Sequence, residues 1–545
     1  MPINYIYNAP NTYSIGAGSC ITGHFVIPSP YNGPSGNWPV TAIDYRAFYN
    51  CTTLSGVTIP SSVVSIGSSA FNGCTRLTGI TIPITVNSLG NFVFQDCSNL
   101  KFANVLGTGF TSIGNNVFEG CINLTGVIIA PQISSIGAQA FQRCYKLSGI
   151  NNINGNNILP NSLNSIGFEA FNDCFFLKNL TIPTSSAAII DVGAFDGCNR
   201  LTGINLPTFL STIRARVFFN CTSLSGITIP SNVTSIGNAA FQNTKLSTVD
   251  IPTATSFIGE TAFVQCFFMT GISVSPSNAS YSSISGVLTN KTETVLVNYP
   301  IGKSITSYTI PNSITGIGRY AFYDANLTNV DFNNTTTIDN FAFSLSNIVV
   351  FSNNKVQTIG NNAFENCFNL GLVRDNPNLS SIGFTAFQGC TNLQLALLRD
   401  SKISILQTNL FNGCTNLRTV QLPNSLKIIN SFSFANCDNL IQIVIPKDVS
   451  SIFVQSFDGC TRLARVYFLG NYPFGTAFPY QTLSIAQLYI LSFRRWPNLA
   501  AGQYPQSKLP IILDDFSPAK GEVIYIPDFL NNSIRLSSGN GIINI

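Results

Sequence analysis

Cysteine is the residue type whose number and spacing in this chain could support chemistry. The sequence contains 15 cysteines, and all except Cys20 recur in one slot of a repeating pattern. The pattern reads I-G-x-x-A-F-x-x-C-x-x-L-x-x-I-x-I-P, as in residues 66–83. Its cysteines are Cys51, Cys74, Cys97, Cys121, Cys144, Cys174, Cys198, Cys221, Cys266, Cys367, Cys390, Cys414, Cys437 and Cys460. Thiols can bind metals, act as nucleophiles or form disulfides.

The surroundings of these cysteines argue against reactive roles. A zinc site needs paired ligands such as C-x-x-C, often with histidine, and the chain has no such pair and one histidine, His24. A nucleophilic thiol needs a basic neighbour, whereas these are flanked by Phe and Leu. Evenly stacked thiols also have no unique disulfide partner. We therefore expect small, buried, mostly reduced thiols, with no metal and no cofactor.

Cys20 and His24 are the one pair spaced like a nucleophile and its base. Both lie before the first full repeat, and nothing near them supplies a carboxylate to orient the imidazole. The spacing is therefore expected to be coincidental. The chain also lacks a G-x-S-x-G motif, a phosphate-binding loop and a clustered acid pair. We expect no catalytic residues and no enzymatic activity.

The elements that position the cysteines follow from the repeat. Its phenylalanine recurs mostly every 21 to 24 residues, with longer steps of 30 residues into Phe171 and 59 residues into Phe322. The alternation in L-x-x-I-x-I-P predicts a half-buried strand that proline ends. The remainder of each unit suits a short helical or 3₁₀ turn. One unit cannot bury both parts, so neighbours must stack. The pattern predicts an α/β repeat solenoid with a continuous parallel sheet on its concave face and short helical turns on its convex face.

The same pattern resembles the BspA-like (Treponema-type) leucine-rich-repeat family over roughly residues 20–469. Proline stands here where ordinary leucine-rich repeats place asparagine. Residues 285–300 resemble a hairpin insertion common in that family, and residues 21–48 resemble its opening half-repeat. The resemblance implies a leucine-rich-repeat horseshoe that serves as a binding or adhesion scaffold, with no shared catalytic chemistry.

The residues at which the repeat pattern begins and ends divide the chain into three predicted segments. Residues 1–45 form an N-terminal cap and half-repeat. Residues 46–469 form a solenoid of about 17 repeats, with the hairpin insertion near 276–303. Residues 470–545 break the repeat, and they are expected to form a C-terminal cap or a docking module through which the chain forms a homo-oligomer or a larger assembly.

The composition excludes some partners. Charged residues make up 9% of the chain and the net charge is +4, with no basic run, so nucleic-acid binding is not expected. No apolar run is long enough to span a bilayer. The N-terminus lacks the basic and apolar regions of a standard secretory signal. A surface rich in Asn, Ser and Thr nevertheless favours a cell-surface or virion-associated location over the cytoplasm.

The outward strand positions indicate where a partner would bind. In the first half of the chain they are mostly Gly and Thr, whereas in the second half they become apolar, amide and arginine side chains, which suit an interface core. We name this second set the candidate stripe. It consists of Leu372, Arg374, Leu395, Leu397, Gln421, Gln442, Val444, Arg465 and Tyr467. The alternative is that these residue types simply suit a strand surface.

Two functions fit this sequence. The first is a non-enzymatic, adhesin-like scaffold that binds a protein or a glycan on its concave face. The second is a structural subunit of a virion or cell-surface assembly, in which the solenoid is a rigid arm. Light scattering would separate them, since a stable monomer weakens the assembly hypothesis.

Overall fold

We describe the chain from a computed structural model. The structure describes residues 3–151, 157–183, 189–453 and 455–470 with their side chains, and short strands thereafter. It divides into two compact units, unit 1 (Met1–Phe368) and unit 2 (Asn369–Ile545). Each repeat forms one rung, which consists of a long strand, a short strand and a turn segment.

The long strands of unit 1 correspond to the predicted L-x-x-I-x-I stretch. In Gly79–Ile82 the isoleucines are buried while Thr81 is exposed, as the alternation predicts. The long strands are Leu54–Thr58, Gly79–Ile82, Phe102–Val105, Gly126–Ile129, Gly149–Ile150, Asn157–Ile158, Leu180–Thr181, Ile204–Asn205, Thr248–Ile251, Gly271–Val274, Ser307–Thr309, Asn329–Asp331 and Val350–Phe351.

These strands are parallel, but the expectation of one continuous sheet is wrong. Within unit 1 they form separate ladders, one of which joins Gly79–Ile82 to Gly149–Ile150, and another of which joins Asn157–Ile158 to Ile204–Asn205. One break separates Leu54–Thr58 from Gly79–Ile82, and another lies at the 30-residue step, where extra residues divide one long strand into two halves. Gly149–Ile150 pairs with the preceding rung and Asn157–Ile158 pairs with the following one.

The short strands form a second parallel layer. Each carries the Ile or Leu that precedes the repeat glycine, as in Ser135–Ile136, which pairs with Ser165–Ile166. In unit 1 they are Ser65–Ile66, Ser88–Leu89, Ser112–Ile113, Ser135–Ile136, Ser165–Ile166, Ile189–Ile190, Thr212–Ile213, Ser235–Ile236, Phe257–Ile258, Gly316–Ile317, Thr337–Ile338 and Thr358–Ile359.

The predicted helical or 3₁₀ turns are wrong: no helix occurs among the described residues. The reason is that two residues per turn segment have left-handed backbone, as at Ser69 (φ 57°) and Gly73 (φ 74°). A right-handed helix cannot pass through such residues. Alternate N–H groups therefore bond within the rung, as Cys74 N to Phe71 O (3.1 Å), and to the next rung, as Phe71 N to Val93 O (2.9 Å).

Antiparallel elements occur at the start of unit 1 and near residue 290. The N-terminal strands are Tyr5–Asn8, Thr12–Ile15, Gly23–Val26, Tyr31–Gly33, Gly36–Trp38 and Val40–Ile43. Val40–Ile43 pairs with Ser65–Ile66 and so begins the short-strand layer. The 59-residue step contains Tyr281–Ile284, Val287–Asn290 and Val295–Asn298, which pair antiparallel in sequence order.

The core of unit 1 contains a file of phenylalanine rings. Adjacent rings from Phe48 to Phe263 stack with centroids 5.1–5.8 Å apart and planes within 14° of parallel. The cysteines pack beside them and are buried. Cys97 Sγ donates a hydrogen bond to Phe71 O (3.1 Å), which also accepts the backbone N–H of Cys74. The thiol therefore fills the slot and satisfies a buried carbonyl of the preceding rung.

Unit 2 repeats this arrangement. Its long strands are Leu372–Val373, Leu395–Leu397, Thr419–Gln421, Gln442–Ile445 and Arg465–Phe468, and its short strands are Ser381–Ile382, Ile405–Leu406, Ile428–Ile429 and Ser451–Ile452. Gln487–Ile490 and Ile511–Ile512 continue the parallel ladder of Arg465–Phe468. Ile524–Asp528, Ser533–Ser538 and Gly541–Asn544 are antiparallel. Most of the predicted segment 470–545 lies outside the described residues.

One repeat cysteine departs from the reduced ladder. Cys51 forms a disulfide with Cys20, their Cα atoms being 5.3 Å apart. The physical reason is its position in the first full rung, where its outer neighbour is the N-terminal segment that carries Cys20. The other 13 cysteines are unpaired and buried.

A thiol count tests this arrangement. Protein purified without reductant and unfolded in guanidinium is expected to show 13 reactive thiols, and 15 after reduction. The folded protein should react only as fast as its rungs open, because the thiols are buried. A count of 15 without reductant would contradict the disulfide, and a count well below 13 would contradict the reduced ladder.

Candidate functional site

Burial makes the repeat cysteines Cys74, Cys97 and Cys121 poor nucleophiles in the folded chain. Burial raises the pKa of the Cys74 thiol to about 12, despite a backbone hydrogen bond that lowers it. Burial likewise raises the pKa values of Cys97 and Cys121 well above the ordinary value. Because the thiolate is the nucleophile and the metal ligand, such thiols serve neither role near neutral pH.

Cys20 and His24 do not form a nucleophile–base pair. Cys20 is joined to Cys51, and His24 Nε2 lies 2.9 Å from the Thr58 hydroxyl. Within the described part of the chain, no three His, Cys, Asp or Glu side chains come together in a way that would hold a metal ion.

The structure places the candidate stripe on the long-strand face of unit 2. Arg374 is exposed, and seven other members are partly exposed. Tyr467 is the exception, being 7% exposed, although its register opposite Val444 puts it on the same face. Its strand has a further parallel neighbour, Gln487–Ile490, beyond residue 469, where the sequence predicted the solenoid to end.

Strand register brings parts of the candidate stripe side by side. Leu372 lies opposite Leu395, and Leu397 lies opposite Gln421. Directly opposed residues have Cβ atoms about 5 Å apart, which is contact distance for such side chains. Gln442 lies opposite Arg465 in a second ladder. The stripe therefore contains a leucine-rich part and an amide–arginine part.

Charged side chains border the leucine-rich part. Arg399 Nε pairs with Asp400 at 3.2 Å, and the Asp400 N–H donates to Asp375 Oδ1 at 3.1 Å. Burial raises the pKa of the Asp375 carboxyl, although the Asp400 N–H opposes that shift. Arg374, Asp375, Arg399 and Asp400 thus give the apolar residues a polar rim, as at protein interfaces.

Sequence reasoning missed a recess on the long-strand face of unit 1. Its volume is about 450 Å³, and its outward side chains are Asn179, Thr181, Asn205 and Thr228. Two glycines, Gly203 and Gly226, open its floor, since a Cβ added at either would meet no atom within 4 Å. The parallel pairing between these two rungs is reduced to a single bridge, between Gly203 and Gly226.

The signal for this recess was present in the sequence but ambiguous. The Gly and Thr positions of the first half predict a strand surface without large side chains. Glycine at an outward strand position also removes a side chain where something else can approach closely. Whether such a glycine lies on a plain strand surface or opens a recess depends on how the neighbouring rungs pair.

Comparison with protein families gives a match over most of the chain. The model described as "BspA type Leucine rich repeat region (6 copies)" matches residues 37–148, 149–270, 301–394 and 396–493. A comparison with curated proteins finds no match. No helix among the described residues is long and apolar enough to cross a membrane.

Solved structures of leucine-rich repeat proteins are similar to this chain. One from Bacteroides ovatus is 22% identical, with 90% of this chain and 99% of that chain covered and a TM-score of 0.43. A leucine rich cell surface protein from Faecalibacterium prausnitzii is 23% identical, with 86% and 93% covered and a TM-score of 0.37. The T. pallidum leucine rich repeat protein is 23% identical, with 49% and 87% covered and a TM-score of 0.24.

Proposed function

Because the chain belongs to the BspA-type leucine-rich repeat family, we propose that it is a non-enzymatic, adhesin-like scaffold that binds a protein partner through the candidate stripe. The observation that carries the proposal is the leucine-rich part of the stripe, in which partly exposed leucines from adjacent strands lie beside Arg374. Large apolar side chains with a nearby arginine are typical of interface cores. A glycan ligand on this face is less favoured, since Tyr467, the one aromatic residue of the candidate stripe, is buried.

Two further observations support the scaffold proposal. The free repeat thiols are buried and have a packing role. The Cys20–Cys51 disulfide suits an oxidising compartment, and this supports a cell-surface location. The alternative of an assembly subunit depends on residues 470–545 and stays a prediction.

A charge-reversal experiment tests the role of the stripe. The full chain is screened against an array of purified secreted proteins, and the bound protein is then titrated against the double variant Arg374→Glu/Arg465→Glu. We expect its Kd to rise at least about tenfold, because two interface charges change sign. The matched control is Arg418→Glu/Arg462→Glu, two exposed arginines of the same unit outside the stripe, for which a change below about twofold is expected. Equal weakening by both variants would exclude the stripe as the binding surface.

A further inference from the structure

One edge of unit 1 carries cations without acids. In each rung this edge consists of the residues between the repeat cysteine and the long strand. We name its exposed cations the basic edge: Arg76, Lys101, Lys146, Lys178, Arg200 and Lys245. Unit 1 as a whole contains 14 cationic and 14 acidic side chains. None of those acids stands at the corresponding positions of any rung, so the charge is segregated and not merely sparse.

The cations of the basic edge have no acidic partner in the part of the chain that the structure describes. Lys146 Nζ instead donates to the neutral Asn123 Oδ1 (2.7 Å). By contrast, on the turn segments Arg143 pairs with Glu119 (2.7 Å). The unpaired positive charges favour an anionic partner.

Aromatic rings are interleaved with these cations. Phe176, Phe267 and Phe268 are 38%, 50% and 57% exposed. The Arg200 guanidinium lies 3.9 Å from the centroid of Phe176, and Lys245 Nζ lies 5.4 Å from that of Phe268. Exposed rings of this kind can pack on flat apolar faces of a ligand, and the cations beside Phe176 and Phe268 are placed to meet an anionic group on that ligand.

Backbone bonds hold the edge in register. Lys101 N donates to Thr78 O (2.9 Å), Thr125 N donates to Lys101 O (2.9 Å), and Ser148 N donates to Thr125 O (3.0 Å). Successive edge positions therefore follow the strand spacing of about 4.8 Å, and the row from Arg76 to Phe268 is on the order of 40 Å long. A row of this kind suits an extended polymer better than a compact ligand.

The recess adjoins this row. Lys178 of the basic edge directly precedes Asn179 of the recess in the chain. The recess offers amide and hydroxyl groups together with an open glycine floor. Such groups match the hydroxyls of a sugar ring, and the cations alongside match negatively charged substituents.

We propose that the basic edge and the recess of unit 1 bind an acidic polysaccharide that carries sulfate or carboxylate groups. The polymer would lie along the edge with a sugar ring in the recess. This surface is distinct from the candidate stripe, so the inference does not depend on the proposed function. A nucleic acid is less favoured, because six cations over about 40 Å are few for a phosphate backbone.

The charge part of the test uses a biotinylated, size-defined heparin fragment and the full chain. The variant Lys101→Gln/Lys146→Gln/Lys178→Gln is compared with the control Lys291→Gln/Lys303→Gln/Lys355→Gln, which removes the same charge elsewhere in unit 1. We expect the edge variant to raise Kd at least about tenfold and to flatten the dependence of log Kd on log salt, and the control to change Kd less than about twofold.

The recess part of the test uses glycine substitutions that leave the charge unchanged. Gly203→Val and Gly226→Val place a side chain in free space inside the recess and are expected to weaken heparin binding about tenfold. Gly126→Val is the control in another rung of the long-strand face, where the added Cβ would make only ordinary contacts of 3.6 Å or more. Thermal melting verifies that each variant is folded.

Three outcomes would overturn the proposal. One is the absence of heparin binding at micromolar concentration. The second is equal weakening by the edge and control lysine variants, which would indicate a diffuse charge effect. The third is tighter binding of a single-stranded oligothymidylate than of heparin at the same salt concentration, which would indicate a nucleic-acid surface. Neutral dextran should not compete with heparin.

Discussion

Replacing Phe195 with alanine is expected to lower the free energy of unfolding of the full chain by about 3–5 kcal/mol. The Phe195 ring is fully buried and stacks between Phe171 (5.4 Å) and Phe218 (5.8 Å). Its removal leaves a cavity between two parallel rings that cannot close, since the backbone hydrogen bonds of the adjoining rungs fix their separation. Urea unfolding followed by circular dichroism measures the change.

The control for this prediction is Phe209→Ala. Phe209 is 63% exposed, and its replacement is expected to change the free energy of unfolding by less than about 0.5 kcal/mol. A solenoid also transmits damage only to neighbouring rungs. If the cavity separates the array into two parts, the unfolding curve of the Phe195 variant should become broader or biphasic. An effect of Phe195→Ala as small as that of the control would contradict the ring file as the principal core.

Replacing Asn157 with alanine is expected to destabilise the fold by about 2–4 kcal/mol, although the residue is polar. Asn157 is 1% exposed and lies where the long strand is divided. Its Oδ1 accepts the Ile150 N–H (2.8 Å), and its Nδ2 donates to Ser148 O (3.1 Å) and Lys178 O (2.7 Å). Alanine would leave the buried Ile150 N–H and the part-buried carbonyl oxygens of Ser148 and Lys178 without these partners.

Two variants make the test of Asn157 specific. Asn161→Ala changes an exposed asparagine of the same rung and should be nearly neutral. Asn157→Asp keeps an acceptor for Ile150 but loses both donated bonds, so it should be as destabilising as alanine or more so, because a carboxylate would also be buried. A neutral effect of Asn157→Ala in thermal and urea unfolding would mean that the two half-strands are held by other contacts.

Much of the fold was predictable because every repeat packs its apolar residues at the same offsets. The offsets from Phe71 to Cys74 and Leu77 correctly predicted burial, and the alternation in residues 79–82 correctly predicted which face of the strand is exposed. The turn segment was predicted wrongly as helical. Its apolar spacing resembles a helical period, whereas the left-handed residues before each alanine and each cysteine determine the backbone, and their side chains identify this only weakly.

The candidate site was predictable only in part, for a related reason. The alternation placed Leu372, Arg374 and Leu395 on the outward face, where they are exposed or partly exposed, but it did not predict that Tyr467, in register on the same face, is buried. Likewise the glycines of the recess have the same spacing as those of closed rungs. Their effect depends on the ladder being reduced to one bridge between Gly203 and Gly226, which is a property of several rungs together.

The sequence by itself determined that this chain is a leucine-rich-repeat solenoid with a file of phenylalanines and buried thiols, because one unit with fixed apolar offsets can bury itself only against copies of itself. Only the tertiary structure decided that Cys51 pairs with Cys20, that the turns are not helical, and that Gly203 and Gly226 open a recess. The disulfide and the recess depend on which residue of the next rung lies alongside, and the turns depend on left-handed backbone conformations. The apolar spacing within a single repeat specifies neither.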